Sequence, residues 1–415
     1  MFKNYLITAW KVLFRRKVFT FISLFGIAIT LAVLLVISTI VDNFLYPSGP
    51  ESSNNNFLSI SKLILVSEDE QRNWSSRPGF RFLTDNVGRL KSPEKISYFS
   101  KFQDAASYLN GDKLSNHFRR TDANYWDILN FEFIHGRPFT QQEFESGAML
   151  TVINKTTAEE FFGEINALGK SVTFNEQNFE VIGVVKDVSF FEMIAYADIW
   201  VPYTTNPSTA YMQGVTSGWG AMLYHSNEKM QKEMQSEYVN LLQEDFISPA
   251  PDAFHFAYSG ADTPLEKLAR NLTSSKSYAS GAEKFIALAL TLIICFMLLP
   301  SINLINLNIS RILERSSEIG VRKAFGASHK QLIVQFVVEN ILLTAVGGLI
   351  GFVISWFVLW QVEINQLIPG ADFRFSLHSY IYGFGMIFLF GLISGTYPAY
   401  KMSKLHPVTA LKGGA

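Results

Sequence analysis

Residues 18–41 read VFTFISLFGIAITLAVLLVISTIV, and the nature of this run decides the class of the molecule. No charged side chain interrupts it. Roughly 20 apolar residues in a helix cover the hydrocarbon core of a bilayer, so the run is expected to span. Lys3, Lys11, Arg15, Arg16 and Lys17 precede it, as they would in a secretory signal. The run is too long for a signal core, and no small-x-small cleavage pattern precedes Asp42, so a retained anchor is expected. Phe2–Lys17 interleaves apolar and basic residues and reads as an amphipathic helix at the inner leaflet.

Three more apolar stretches follow, at 285–307, 332–360 and 379–399. Their flanks carry the orientation. Arg311, Arg315, Arg322, Lys323 and Lys330 fill the segment between the second and third stretches, and Lys401, Lys404 and Lys412 follow the fourth. Between the third and fourth, Glu363 and Asp372 stand against a single Arg374. Positive residues collect on the cytoplasmic side. All three basic regions lie there together only with four crossings and both termini inside.

Composition agrees with a mixed molecule. Of 415 residues, 48% are hydrophobic and 17% charged, with a mean hydropathy of +0.15, too apolar for an ordinary soluble domain and too polar for a bare bundle. The net charge of −1 gives no basic field for nucleic acid. Cys295, the single cysteine, excludes an intramolecular disulfide and any cysteine-rich metal site.

The predicted fold is therefore membrane α-helical, with four transmembrane helices, plus an α+β extracytoplasmic domain. The expected order is a cytoplasmic helix at 1–17, spans at 18–41, 285–307, 332–360 and 379–399, and an external domain at 42–284. A cytoplasmic loop at 308–331, a short external loop at 361–378 and a cytoplasmic tail at 400–415 complete it. In the external domain, Phe57–Val66 and Phe179–Val185 alternate as strands do, Glu228–Glu244 reads as an exposed helix, and Phe254–Tyr258 as a strand. Residues 121–215, rich in short strands and Gly/Pro turns, form a candidate inserted subdomain.

Several motifs invite chemistry and do not carry it. GEINALGKS at Gly163–Ser171 has five residues between its glycines where a phosphate-binding loop has four, so a turn bearing a lysine is the better account. The histidines, His117, His135, His225, His255, His329, His378 and His406, lack metal-ligand spacing. No catalytic residues and no metal ligands are assigned. The sequons at Asn73, Asn154 and Asn271 are short patterns of low specificity.

The loop ILERSSEIGVRKAFGASHKQL, Ile312–Leu332, is more informative. As a helix it places Leu313, Ser317, Gly320 and Ala324 on one side, and Glu314, Arg315, Glu318 and Arg322 on the other. Glu318 precedes Arg322 by four residues, the favourable order. Gly326 supplies a stop and Ser328 a cap for the next helix. Residue chemistry alone fits docking on a protein partner and a solvated linker equally. Gly347 and Gly351, and likewise Gly391 and Gly395, recur at four-residue spacing, the pattern that lets membrane helices pack closely. Gln335, Glu339 and Asn340 place polar groups two turns into the third span, facing protein or headgroups rather than lipid.

Together these features resemble the MacB/FtsX-like permeases of ABC transporters. The resemblance is carried by ERSSEIGVRKAFGAS (Glu314–Ser328), QFVVEN (Gln335–Asn340), ILNFEFIHGRPFTQQE (Ile128–Glu143), FFGEINALGKSVTFNEQNFEVIGVVKD (Phe161–Asp187) and HPVTALKG (His406–Gly413). It implies a porter-like external subdomain with a second, β-rich one inserted. It also implies ATPase coupling through Glu314, Arg315, Glu318, Gly320, Arg322, Lys323 and Gly326. ATP and Mg are then expected on a separate ABC ATPase subunit, with no cofactor in this chain, which is not expected to be an enzyme. The partners implied are that ATPase, a second permease copy in a homodimer or a heterodimer, and a periplasmic adaptor as a further candidate, in the bacterial inner (plasma) membrane. The expected function is export of peptides, antibiotics, lipoproteins or other amphiphiles by mechanotransmission. The alternative is an FtsX-like regulator of an extracytoplasmic partner such as a cell-wall hydrolase.

Overall fold

The computed structural model describes residues 17–109, 112–174, 176–273, 276–314, 321, 328–371 and 373, with single positions 381, 383, 385, 388, 389 and 392. The chain divides into two units. One comprises 1–42, 287–367 and 373–415, the other 43–286 and 368–372.

In chain order the elements are α1 (Lys17–Leu45), β1 (Phe57–Ile60), β2 (Leu63–Val66), β3 (Asn73–Ser76), α2 (Phe80–Asn86), β4 (Lys95–Ser100), β5 (Gln103–Leu109), β6 (Asp112–Thr121), β7 (Phe133–Gly136), β8 (Leu150–Asn154), α3 (Lys155–Phe162), β9 (Ser171–Phe174) and β10 (Gln177–Val185). Then come β11 (Ile199–Pro202), β12 (Trp219–Tyr224), α4 (Gln231–Glu244), β13 (Phe256–Ser259), α5 (Pro264–Thr273), α6 (Ala282–Glu314) and α7 (His329–Ile364).

Among the described residues the helical unit comprises α1, α6 and α7. Thr20–Leu45 and Val337–Ile364 are long and apolar enough to cross a membrane. α6 has 33 residues, about 50 Å of helix at 1.5 Å per residue. Ile27, Leu31 and Leu34 of α1 pack with Met297 of α6 and Leu343 of α7. Ser328 caps α7 as its position predicts: its hydroxyl accepts from Gln331 N, and the Gln331 side chain accepts from Ser328 N at 3.0 Å. The fourth apolar stretch, and the helix expected over 1–17 apart from Lys17, lie largely outside the described residues.

The other unit is of mixed strand and helix. Ten strands form one sheet, ordered β1-β12-β4-β6-β11-β8-β10-β7, with β5 on β6 and β9 on β10. Pairing is antiparallel except for β6–β11 and β8–β10, which are parallel. Residues 121–215 hold β7 to β11 and extend the sheet beyond β6. Among the described residues one register pair, Phe99↔Thr121, joins β4 to β6, so the sheet has a narrow seam there. A second sheet, β13-β2-β3, is antiparallel throughout.

Three local expectations need correction. Phe57–Val66 is two strands, not one. The chain turns at Ser61–Lys62, sending β1 to β12 and β2 between β13 and β3. All eight strand positions are buried, so the alternation there does not mark an inner and an outer face. The helix expected at Glu228–Glu244 is a 3-10 turn (Glu228–Met230) followed by α4, and it is not simply exposed. Met234, Tyr238 and Leu242, four residues apart, line a fully buried stripe. The strand expected at Phe254–Tyr258 begins two residues later.

Candidate functional site

The site lies in the mixed unit, where loop 186–197, between β10 and β11, meets other chain segments. Leu45 ends α1, and a short 3-10 helix, Pro50–Ser53, follows. Gly49 N and Glu51 N donate to the two carboxylate oxygens of Glu192, at 3.1 and 2.8 Å. In return the Glu51 carboxylate accepts from Ile194 N at 2.6 Å and Ala195 N at 2.9 Å. Each acid thus caps backbone N–H groups of the other's segment. A Cβ at Gly49 would collide with the Glu192 carboxylate, which accounts for the glycine. Asn54 donates to Leu45 O at 3.0 Å, and Asn130 N to Pro50 O at 2.9 Å.

The same loop receives the segment after α7. Phe190 N donates to Pro369 O at 3.1 Å. Gly370, at φ +62°, lies so close to Val188 O that no side chain fits; the left-handed backbone and the contact both require glycine.

The approach to α6 is held by α5. Arg270 Nε and Nη2 donate to Asp262 at 2.6 and 3.0 Å, a buried bidentate pair. The guanidinium also reaches Ser277 O and Tyr278 O, at 3.1 and 2.9 Å. One turn earlier, Lys267 is buried and shares a cleft with Glu51, Ser59, Met193 and Asp262.

Arg119 of β6 joins the loop to the sheet. Fully buried, it donates to Met193 O and Tyr196 O at 2.9 Å, and to Ser100 O at the end of β4 at 2.9 Å. These carbonyls satisfy the guanidinium, and among the described residues no carboxylate is hydrogen-bonded to it.

Burial dominates the electrostatics. It pushes the Glu192 carboxyl up to about 7 and raises Glu51 as well, against the opposing pull of Lys267 and the two loop N–H groups. Burial lowers the Lys267 ammonium to about 8 and depresses Arg119. Removing charge from water is costly and is offset by pairing and hydrogen bonds. Nothing in the arrangement resembles a nucleophile with its base. Its chemistry is that of a fastening.

Of the residues singled out from sequence, Glu314 is the last of α6. Arg315, Glu318, Gly320, Arg322, Lys323 and Gly326 lie outside the described residues, as do Gly391 and Gly395. Gly347 faces Ile27, and Gly351 lies against the backbone of α1: a Cβ there would stand 2.7 Å from Ala28 O. Gln335 Nε2 donates to Glu339 at 3.0 Å. Gly163 and Gly169 take left-handed conformations, and Lys170 pairs with Glu164 at 2.5 Å across their turn. Asn154 is buried: it caps α3 through Thr157 N at 2.8 Å and donates to Asp198 at 2.9 Å. Glu51, Glu192, Arg119 and Lys267 were not foreseen. The available signal was an acid isolated among Phe190, Phe191, Met193 and Ile194.

Comparison with known proteins now places the chain. The family profile described as MacB-like periplasmic core domain matches residues 20–232, just over half of the chain, and the FtsX-like permease C-terminal profile matches 290–407. The chain belongs to the MacB/FtsX-like ABC transporter permeases. It is similar to a protein of Bacillus subtilis named uncharacterized ABC transporter permease YknZ, 27% identical over 80% of this permease and 79% of that protein. A Bdellovibrio bacteriovorus protein named macrolide export ATP-binding/permease protein MacB is 30% identical over 67% of this permease. The alignment spans 41% of that MacB, so the permease covers under half of its length. Among solved structures, the extracellular domain of YknZ from Gram-positive bacteria aligns with a TM-score of 0.35 at 19% identity, covering 48% of this permease and 98% of that chain. The periplasmic region of MacB from Actinobacillus actinomycetemcomitans gives 0.34 at 15% identity, covering 48% and 90%. By its two family profiles the permease is a membrane protein of a family with an extracytoplasmic domain.

Proposed function

We propose that this permease is the membrane subunit of a MacB-type exporter, passing the work of ATP binding and hydrolysis on a separate ATPase subunit to its extracytoplasmic domain. The observation that carries the reading is the attachment of the segments after α1 and after α7 to one loop, 186–197, with the approach to α6 held beside it. A domain that only capped the membrane would need no such shared anchor. The spans would be 18–41, 285–307, 332–360 and 379–399, with both termini cytoplasmic. The basic loop 308–331 would seat on the ATPase through Glu314, Arg315, Glu318, Gly320, Arg322, Lys323 and Gly326. Two permease copies would act together, with ATP and Mg bound by the partner. Peptides, antibiotics, lipoproteins and other amphiphiles are the proposed cargo, captured outside the membrane with or without an adaptor.

The test is cysteine cross-linking in the assembled complex. Glu318→Cys and Arg322→Cys, in a Cys295→Ser background, are expected to link to the ATPase subunit. Absence of both links overturns the coupling assignment. Retention of a cell-wall hydrolase by the membrane-embedded permease, without transport, would replace export by regulation.

A further inference from the structure

We propose that Glu51 and Glu192 act as a reciprocal clasp that passes displacement of the chain after α1 to loop 186–197 and, through Arg119, to the β4–β6 seam. This deepens the mechanotransmission reading and rests on it. The clasp joins two segments that have no strand pairing to each other, so its hydrogen bonds are their directional connection. Four bonds, two in each direction, fix orientation as well as distance: Glu192 takes Gly49 N and Glu51 N, and Glu51 takes Ile194 N and Ala195 N. A single bond would leave the segments free to pivot.

The onward path is equally specific. Met193 O and Tyr196 O, on either side of the residues that Glu51 holds, accept from Arg119 Nη2 at 2.9 Å, and Nη1 of the same guanidinium reaches Ser100 O. Ser100 ends β4 beside Phe99, and Arg119 lies in β6 two residues from Thr121; Phe99↔Thr121 is the register pair that joins those strands among the described residues. Two neighbouring carboxylates withdrawn from water are an expensive way to fill space, since apolar packing of similar volume is often at least as stable. Their geometry accounts for the expense if Glu51 and Glu192 are positioning residues that keep the two segments moving as one. Coupling of this kind is established only by measuring it, not by proximity.

The experiment uses the full chain with its ATPase in lipid nanodiscs, Cys295→Ser, and spin labels at Gln141→Cys and Lys232→Cys, exposed positions on opposite sides of the seam. Label distance is measured with and without ATP and vanadate, beside ATP hydrolysis. The wild-type distance distribution is expected to shift on ATP binding. Glu192→Ala and Gly49→Ala should abolish the shift while hydrolysis stays within about twofold of wild type. Glu192→Gln, near-isosteric but left with one acceptor oxygen, should restore only part of it, whereas a merely space-filling role predicts full recovery. In a double-mutant cycle, Glu51→Gln and Glu192→Gln should be non-additive in the shift. A wild-type shift in Glu192→Ala and Gly49→Ala overturns the clasp. No shift in wild type overturns the mechanotransmission reading itself. If Glu192→Ala does not fold, Glu192→Gln decides: a full wild-type shift counts against the clasp and a reduced one for it.

Discussion

At the scale of single residues, the extracytoplasmic unit keeps ionisable groups where water does not reach, and this makes its stability depend on pH. The Glu192 carboxyl ionises near 4.5 when exposed and near 7 when folded. Between those values the native state holds a proton that the unfolded state has released. The stability contributed by this group is therefore fully present below about pH 4.5 and lost as pH rises to about 7, by up to about 3 kcal/mol. Glu51 and Asp122, whose pKa values burial also raises, act with the same sign. Lys267 acts oppositely: its folded value of about 8 lies below the usual 10.5, so its contribution is present above that and lost as pH falls through 8. Denaturation of the full chain in detergent, followed by tryptophan fluorescence, should find the lowest stability near pH 7–8. Glu192→Gln should flatten the acid limb. An unchanged slope between pH 4.5 and 7 would remove Glu192 from this account. Arg119→Met should cost about 3–5 kcal/mol, because Ser100, Met193 and Tyr196 carbonyls lose a buried donor together; a loss under about 1 kcal/mol in the same assay would contradict it.

Between elements, the contact of α1 with α7 sets a ranking. At Gly351 an added methyl meets backbone, Ala28 O at 2.7 Å and Ala32 N at 3.3 Å, so a helix has to move. At Gly347 it meets side-chain atoms of Ile27, Cγ2 at 2.8 Å and Cβ at 3.0 Å, rather than backbone. Overpacking costs about 1–3 kcal/mol when the surroundings do not yield. Gly351→Ala should therefore lower the thermal midpoint in detergent more than Gly347→Ala, and equal midpoints would contradict this geometry. α4 makes the companion point in the other unit. Its sequence reads as a polar helix, yet Met234, Tyr238 and Leu242 form a buried stripe at helical spacing. Tyr238→Ala should cost about 3–5 kcal/mol.

For the molecule as a whole, the useful property is that the external unit gathers its own connecting segments at one loop. The segments after α1 and after α7 meet at loop 186–197, and the approach to α6 is held by Asp262–Arg270 alongside Lys267. Four spans with both ends inside are open to a direct check. Impermeant thiol reagents should leave Lys404→Cys unlabelled in intact cells and label Gln141→Cys, both in the Cys295→Ser background. Labelling of both would break the proposed topology.

The sequence by itself determined that this is a membrane protein, because a charge-free apolar run such as 18–41 is a local property that a bilayer reads directly. It also determined the cap at Ser328 and the lysine-bearing turn at Gly163–Ser171, whose partners lie within a few residues. The division of Phe57–Val66 between two sheets was not legible, since each half is buried on both faces and alternation then carries no information. The clasp was still less so. The backbone groups that Glu51 and Glu192 bind lie 141 to 144 residues away along the chain, and nothing in either segment names the other. Only the tertiary structure decides which carboxylates leave water and which N–H groups meet them, because that choice depends on what the rest of the fold has already buried.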